Sequence, residues 1–217
     1  MARLGYESYG AQGGDLGSFV APDLGRIDTG HVLGVHMNGP ITMPSWSDAG
    51  APDYTEEEQA KLEKLTGSES FTRYDYAAVQ AGHPQTLAVG LHDSPAGLLA
   101  WLVDLYRRYT DPSIELPEQA LGRDAMLTMV SIYWLTATFA SSIRLYKESE
   151  SWGGPAKNSG VPTGCALFPG DLSIRTLAEQ QHSIVHWKEY DRGGHFAALE
   201  APDLLTADVR EFFRGLR

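Results

Sequence analysis

Gly13-Gly14-Asp15-Leu16-Gly17 follows a short run of strand character at Ser8 to Gln12. Read as small-x-acid-x-small, this stretch has the form of a sharp strand-to-helix turn that lifts a reactive side chain above a sheet. Here an acid stands where such turns more often carry serine. At so tight a turn a Cβ on the flanking positions is expected to clash, which accounts for the glycines. The carboxylate then stands at a helix N-terminus, where the helix dipole favours an anion. Taken alone, the signal is weak, and the stretch reads more readily as a common glycine-rich turn with an Asp helix cap.

Moving outward, three further stretches have strand character: Gly30 to Asn38, Val161 to Pro169 and Ile184 to Tyr190. Phe168-Pro169-Gly170-Asp171 puts an acid at the tip of the third strand, and Arg192-Gly193-Gly194-His195-Phe196 puts a histidine in a glycine loop after the fourth. Each piece alone reads as a turn residue or a loop histidine. Together they give acid nucleophile, acid and histidine at three strand tips in the chain order used by nucleophile-acid-base triads on parallel sheets. His31, His36, His182 and His186 lie in or beside strands and are expected to pack or face solvent. His83 and His92 lie outside the strands, with no carboxylate pattern beside them.

Between the second and third strands the chain reads as helical. Thr55 and Glu58 form a capping box and Gly67 is a stop, predicting a helix over 56–66. Ser94-Pro95 reads as N-cap and first helical residue, with Leu98, Leu99, Leu102 and Leu105 on one face. Asp124 to Tyr146 is the longest helical stretch, and Asp203 to Phe213 closes the chain with an amphipathic helix. The element order predicts an α/β core interrupted by a helical insertion, with residues 1–40 and 156–217 in the core and 41–155 in the insertion.

Composition limits the function classes. The net charge is -11, which disfavours nucleic acid as a partner. A single cysteine, Cys165, rules out an intrachain disulfide and suits a reducing, cytoplasmic setting. The N-terminus lacks the apolar run of a signal peptide. Ala125 to Ile143 carries no charge and is long enough to span a bilayer. Its hydroxyl residues Thr128, Ser131, Thr136, Thr138, Ser141 and Ser142 fit a helix buried in protein better, so no membrane anchor is expected.

The stretches GGDLGS (13–18), HPQTLAVGLHDSPAGLLAWL (83–102), SIYWLTATFASSIRLYKE (131–148), VPTGCALFPGD (161–171) and DRGGHFAALEAPDLL (191–205) resemble epoxide hydrolases of the microsomal and juvenile-hormone type. The resemblance implies a partial α/β-hydrolase core with a helical cap insertion. It implies Asp15 as nucleophile, Asp171 as charge-relay acid and His195 as base. It also implies Tyr76 and Tyr146 as the pair that holds the epoxide oxygen, although tyrosines are more often half-buried packing residues. A carboxylate suits attack on an epoxide carbon, and the Leu16 backbone N–H is expected to serve the oxyanion. Trp101, Tyr133 and Trp134 either line the site for a small apolar epoxide or pack the insertion's own core. The chemistry calls for no metal and no cofactor.

This sequence departs from the family pattern in three ways. No His-Gly-x-Pro loop and no preceding half-core occur in the 217 residues, Leu16 stands where the family usually has Trp, and Pro22 falls inside the helix after the elbow. That helix is expected to be short or displaced. Loss of one oxyanion donor costs on the order of a hundredfold in rate. The chain is therefore expected to be the C-terminal portion of such a fold, weakly active or inactive alone, with an open sheet edge available for self-association. Two other readings stand beside this one: a haloalkane dehalogenase, against which paired tyrosines argue, and a non-catalytic fragment or subunit of a split hydrolase.

Overall fold

The computed structural model describes residues 1–42, 52–148 and 157–216, and of residues 68–73 only the backbone. Four strands, β1 (Tyr9–Gly14), β2 (Val32–Asn38), β3 (Pro162–Leu167) and β4 (Ser183–Glu189), form one parallel sheet in the order β1-β2-β3-β4. Gly14 pairs with Asn38, Asn38 with Ala166 and Leu167 with Glu189. The four C-terminal tips therefore stand side by side, where open parallel sheets place their chemistry.

The helices are α1 (Gly17–Ile27), α2 (Glu56–Thr66), α3 (Ser68–Gly82), α4 (Pro84–Asp93), α5 (Pro95–Tyr109), α6 (Pro117–Leu121), α7 (Arg123–Thr136), α8 (Phe139–Glu148), α9 (Arg175–Gln181), α10 (Ala197–Glu200) and α11 (Pro202–Arg214). They fall into two compact units, Met1–Leu65 with Gly153–Arg217, and Thr66–Trp152.

In the first unit, alternation along β2 and β3 sends Val35, Met37, Cys165 and Leu167 to one face, where they form a buried core with Ala11, Ala21 and Ala178. The opposite face receives α11. An added Cβ at Gly164 would lie 2.7 Å from the Phe212 ring, and one at Gly34 only 2.3 Å from Leu216, so small residues let the helix approach. Residues 41–65, assigned by sequence to the insertion, group with this unit instead. The reason lies at Glu58. Its carboxylate accepts from Thr176 at the start of α9 while closing the capping box with Thr55. The expected boundary at 155–156 lies outside the described residues.

Helix α1 runs unbroken through Pro22, contrary to expectation. The proline forfeits the backbone bond to the Ser18 carbonyl, yet its ring is buried along with Ala21 and Gly25.

The second unit is all helix and buries Leu98, Leu102, Tyr106, Met126, Val130, Phe139 and Ile143. Ser94 caps α5 by accepting from the Gly97 N–H at 3.0 Å. The single helix expected over 124–146 is two, α7 and α8, bent by 88° at Ala137, which adopts φ +55°. The Thr136 hydroxyl donates to the Ile132 carbonyl at 2.5 Å and lies 2.7 Å from the Thr138 hydroxyl, and the Thr138 carbonyl accepts the first N–H groups of α8. Side-chain competition for the backbone thus ends one helix and starts the next. No single helix among the described residues is long and apolar enough to cross a membrane. The bent pair α7–α8 meets that test only jointly, by length and composition.

Candidate active site

Strand β1 ends at Gly14 and the chain reverses at Asp15, which holds φ +53°, a left-handed conformation uncommon for a residue with a Cβ. The surroundings hold it there. Its N–H donates to the Gly39 carbonyl at 2.9 Å. Its carbonyl accepts from the Ser18 N–H at 3.0 Å and lies 2.6 Å from the Ser18 hydroxyl. An added Cβ on Gly13 would lie 2.1 Å from the Gly17 carbonyl oxygen, so the first flanking glycine is required sterically. The second is not: a Cβ on Gly17 would meet nothing within 4 Å, which corrects the expectation of a clash on both sides.

The two oxygens of Asp15 are set apart by their partners. Oδ1 accepts from the Leu16 N–H at 2.7 Å, and Oδ2 lies 2.8 Å from His195 Nε2. Burial pushes this carboxyl up, but the His195 hydrogen bond and charge, with the Leu16 N–H, outweigh it and hold Asp15 below the usual carboxylate value. Asp15 keeps 56% of its side chain exposed against 22% for His195, so the nucleophile candidate is the more open of the two.

The His195 loop follows β4. Gly193 takes φ +90°, Arg192 is paired with Asp203, and the His195 ring meets Phe196 edge-on at 5.2 Å. The loop's base is held by Tyr190, whose ring stacks on Phe168 at 5.1 Å. Asp171 stands beyond the tip of β3 after Gly170 at φ +83°. Its N–H donates to the Phe168 carbonyl and its Oδ1 accepts from the Ser173 N–H at 2.7 Å. Asp15, Asp171 and His195 therefore all arise at one end of one sheet.

In the helical unit, Tyr76 on α3 and Tyr146 on α8 meet edge-to-face, with centroids 5.9 Å apart. Tyr109, which the sequence reading leaves unmentioned, packs against Tyr76 at 5.8 Å. Trp101 buries its indole Nε1 with no hydrogen-bond partner among the described residues. Tyr133 packs on Phe139 at 5.8 Å, and the carbonyls of Tyr133 and Trp134 cap the end of α7.

His36 and His186, expected to pack or face solvent, both turn to Asp208 on α11. His36 Nε2 lies 2.8 Å from Oδ2 and His186 Nε2 lies 2.9 Å from Oδ1, and the Tyr190 hydroxyl donates to Oδ1 at 2.7 Å. Asp208 and His36 are fully buried. This network lies on the α11 face of the sheet and supports the fold. Also missed by sequence were Ser18, Gly39 and Ser173 around the elbow and acid; the one visible signal was that β2 ends in Asn38-Gly39-Pro40, the fourth strand tip, beside the elbow. Among the described residues no cluster of metal-ligating side chains occurs.

No protein-family model matches the chain. A Stigmatella aurantiaca protein assigned as an epoxide hydrolase is 38% identical over all of this chain and 49% of its own length. Epoxide hydrolase 1 of Sus scrofa is 30% identical over 98% of this chain and 52% of its own. The solved epoxide hydrolase of Aspergillus niger superposes with a TM-score of 0.75 at 30% identity, over 100% of this chain and 55% of that structure. Juvenile hormone epoxide hydrolase of Bombyx mori superposes at 0.77 with 25% identity, over 100% and 57%. The chain spans about half the length of the curated relatives it matches.

Proposed function

This chain belongs to the epoxide hydrolases of the α/β-hydrolase fold, and from that premise we propose that it opens an epoxide through an ester on Asp15 and hydrolyses that ester to a diol. The observation that carries the reading is the pairing of Asp15 with His195 at 2.8 Å on a left-handed strand-tip turn. Asp15 Oδ2, the oxygen not held by the Leu16 N–H, attacks an epoxide carbon; the C–O bond of the ring breaks and an alkyl ester forms. Tyr76 and Tyr146 are the candidate donors to the oxygen as it becomes an alkoxide.

His195 then takes a proton from water, and the hydroxide adds to the Asp15 carbonyl carbon. Negative charge develops on Oδ1, 2.7 Å from the Leu16 N–H. Collapse breaks the bond between Cγ and Oδ2, releasing the diol, and His195 returns its proton. Asp171 is the candidate acid that fixes the imidazole tautomer and stabilises its cation. The balance consumes epoxide and water alone. Trp101, Tyr133 and Trp134 are the candidate contacts for a small apolar substrate. Self-association through the open edge of β1 is part of the same proposal.

The test is to quench the chain shortly after mixing with styrene oxide and map the adduct by mass spectrometry. The expected result is an alkyl ester on the Asp15 peptide, absent in Asp15→Asn and accumulated in His195→Gln. An adduct on another residue, or none, overturns the assignment. In water enriched in heavy oxygen, a single turnover should leave the heavy atom in Asp15 and not in the diol.

A further inference from the structure

The four residues that leave β2, Gly39 to Thr42, touch both halves of the candidate triad. On the elbow side, the Gly39 carbonyl accepts the Asp15 N–H at 2.9 Å. The Pro40 carbonyl lies 2.5 Å from the Ser18 hydroxyl, which also reaches the Asp15 carbonyl. On the acid side, the Ile41 N–H donates to Ser173 Oγ at 2.8 Å, and Thr42 Oγ1 accepts the Ile174 N–H at 3.1 Å. Ser173 then uses its own N–H on Asp171 Oδ1 at 2.7 Å. On the other side of that carboxyl, an added Cβ on Gly39 would lie 2.1 Å from Asp171 Oδ2. Ile41, Thr42, Ser173 and Ile174 are all buried.

Asp171 is therefore seated between the Ser173 N–H and the bare Cα of Gly39, and both belong to contacts that also register the elbow. We propose that Gly39 and Ser173 are positioning residues for Asp171, serving the hydrolysis of the ester and not its formation. The inference rests on the reading of Asp15, Asp171 and His195 as a triad. The separation of the two half-reactions follows from the chemistry. Ester formation needs the Asp15 carboxylate, whereas its hydrolysis needs an imidazole that accepts a proton from water, and that is the step an orienting acid assists. Seating matters because misplacement by about an ångström costs on the order of a hundredfold in rate. Ser173 acts through two bonds of opposite sense: its hydroxyl accepts from Ile41, and its N–H donates to Asp171.

A role confined to folding would lower the amount of ester formed and leave the rate of its decay unchanged, since it only removes competent molecules. Positioning of the acid slows decay alone. The experiment is to follow, by quenched-flow mass spectrometry of the full chain with styrene oxide, the rates at which the Asp15 ester appears and disappears. Gly39→Ala, Ser173→Ala and Ser173→Thr are compared with wild type, with Asp171→Asn as reference.

The expected result is unchanged formation in all of them. Decay should be about tenfold to a hundredfold slower in Gly39→Ala and Ser173→Ala, as in Asp171→Asn, and restored in Ser173→Thr. Ser173→Ala adds no atom to the core and carries the test if Gly39→Ala does not fold. Formation and decay slowing by the same factor, or decay unchanged in both variants, overturns the inference while leaving the triad reading intact. Absence of any ester in wild type removes the triad reading and the inference with it.

Discussion

Asp15 and Asp208 are both carboxylates held by histidine, and burial sets them apart. Asp15 keeps more than half of its side chain in solvent and is met by one imidazole and one N–H. Asp208 is fully enclosed and accepts from His36, His186 and Tyr190. Burial pushes the Asp208 carboxyl up, but these three donors more than offset it and hold it at about 2. Its folded-state value is depressed, so its ionised form stabilises the fold above the ordinary carboxylate range, and that contribution is lost as pH falls through about 2. The expected size is about 2 kcal/mol. Urea titrations from pH near the ordinary carboxylate value down to about 2 should show a decline that Asp208→Asn lacks. Asp208→Asn should itself be less stable at neutral pH by about 3 kcal/mol or more, because its amide cannot accept from all three donors. Equal pH dependence in both proteins would remove Asp208 from this role. The neighbouring Cys165 thiol, pushed up by burial, stays neutral throughout and adds nothing to the effect.

At the scale of elements, α11 carries Asp208 and packs its Phe212 against a face made shallow by glycine. A side chain at Gly164 would drive into the Phe212 ring, 2.7 Å from the first added carbon. Gly164→Val is therefore expected to destabilise by about 1–3 kcal/mol through overpacking, read as a lowered urea midpoint. A Phe212→Ala partner mutation should recover part of the loss from Gly164→Val, and no recovery would place the strain elsewhere.

The same elements show what a sequence can disclose. Helix α2 starts and ends where its capping box and stop residue predict, because those signals are local. The strand tips carrying Asp15, Asp171 and His195 are legible because glycine and acid punctuate them. The break at Ala137 is not, since Thr136-Ala137-Thr138 contains neither glycine nor proline, and the hydroxyl contacts that end the helix exist only once it folds. Nor is the seat of Asp171, because Ile41 and Ser173 are ordinary residues whose meeting across 132 positions no pattern announces.

At the scale of the whole molecule, the sheet opens at β1, which among the described residues has β2 as its one neighbour. The Tyr9 N–H points inward to the His31 carbonyl. Alternation then turns the backbone groups of Gly10 and Gln12 outward, a row of donors and acceptors suited to pairing with another strand. The net charge of -11 opposes that pairing by repulsion between copies. Salt screens such repulsion over a Debye length of about 10 Å at 0.1 M while leaving backbone pairing in place. Self-association of the chain should therefore grow with both protein concentration and ionic strength, opposite to an association driven by ion pairs. Sedimentation velocity should show mass above the 23.7 kDa of one chain, rising with added salt. Gln12→Pro removes an outward N–H without taking one from the ladder to β2, so it should restore the single-chain mass, whereas Gln12→Ala should not. A mass that stays at one chain under all these conditions, or that Gln12→Pro leaves unchanged, would show that the β1 edge does not recruit a second copy.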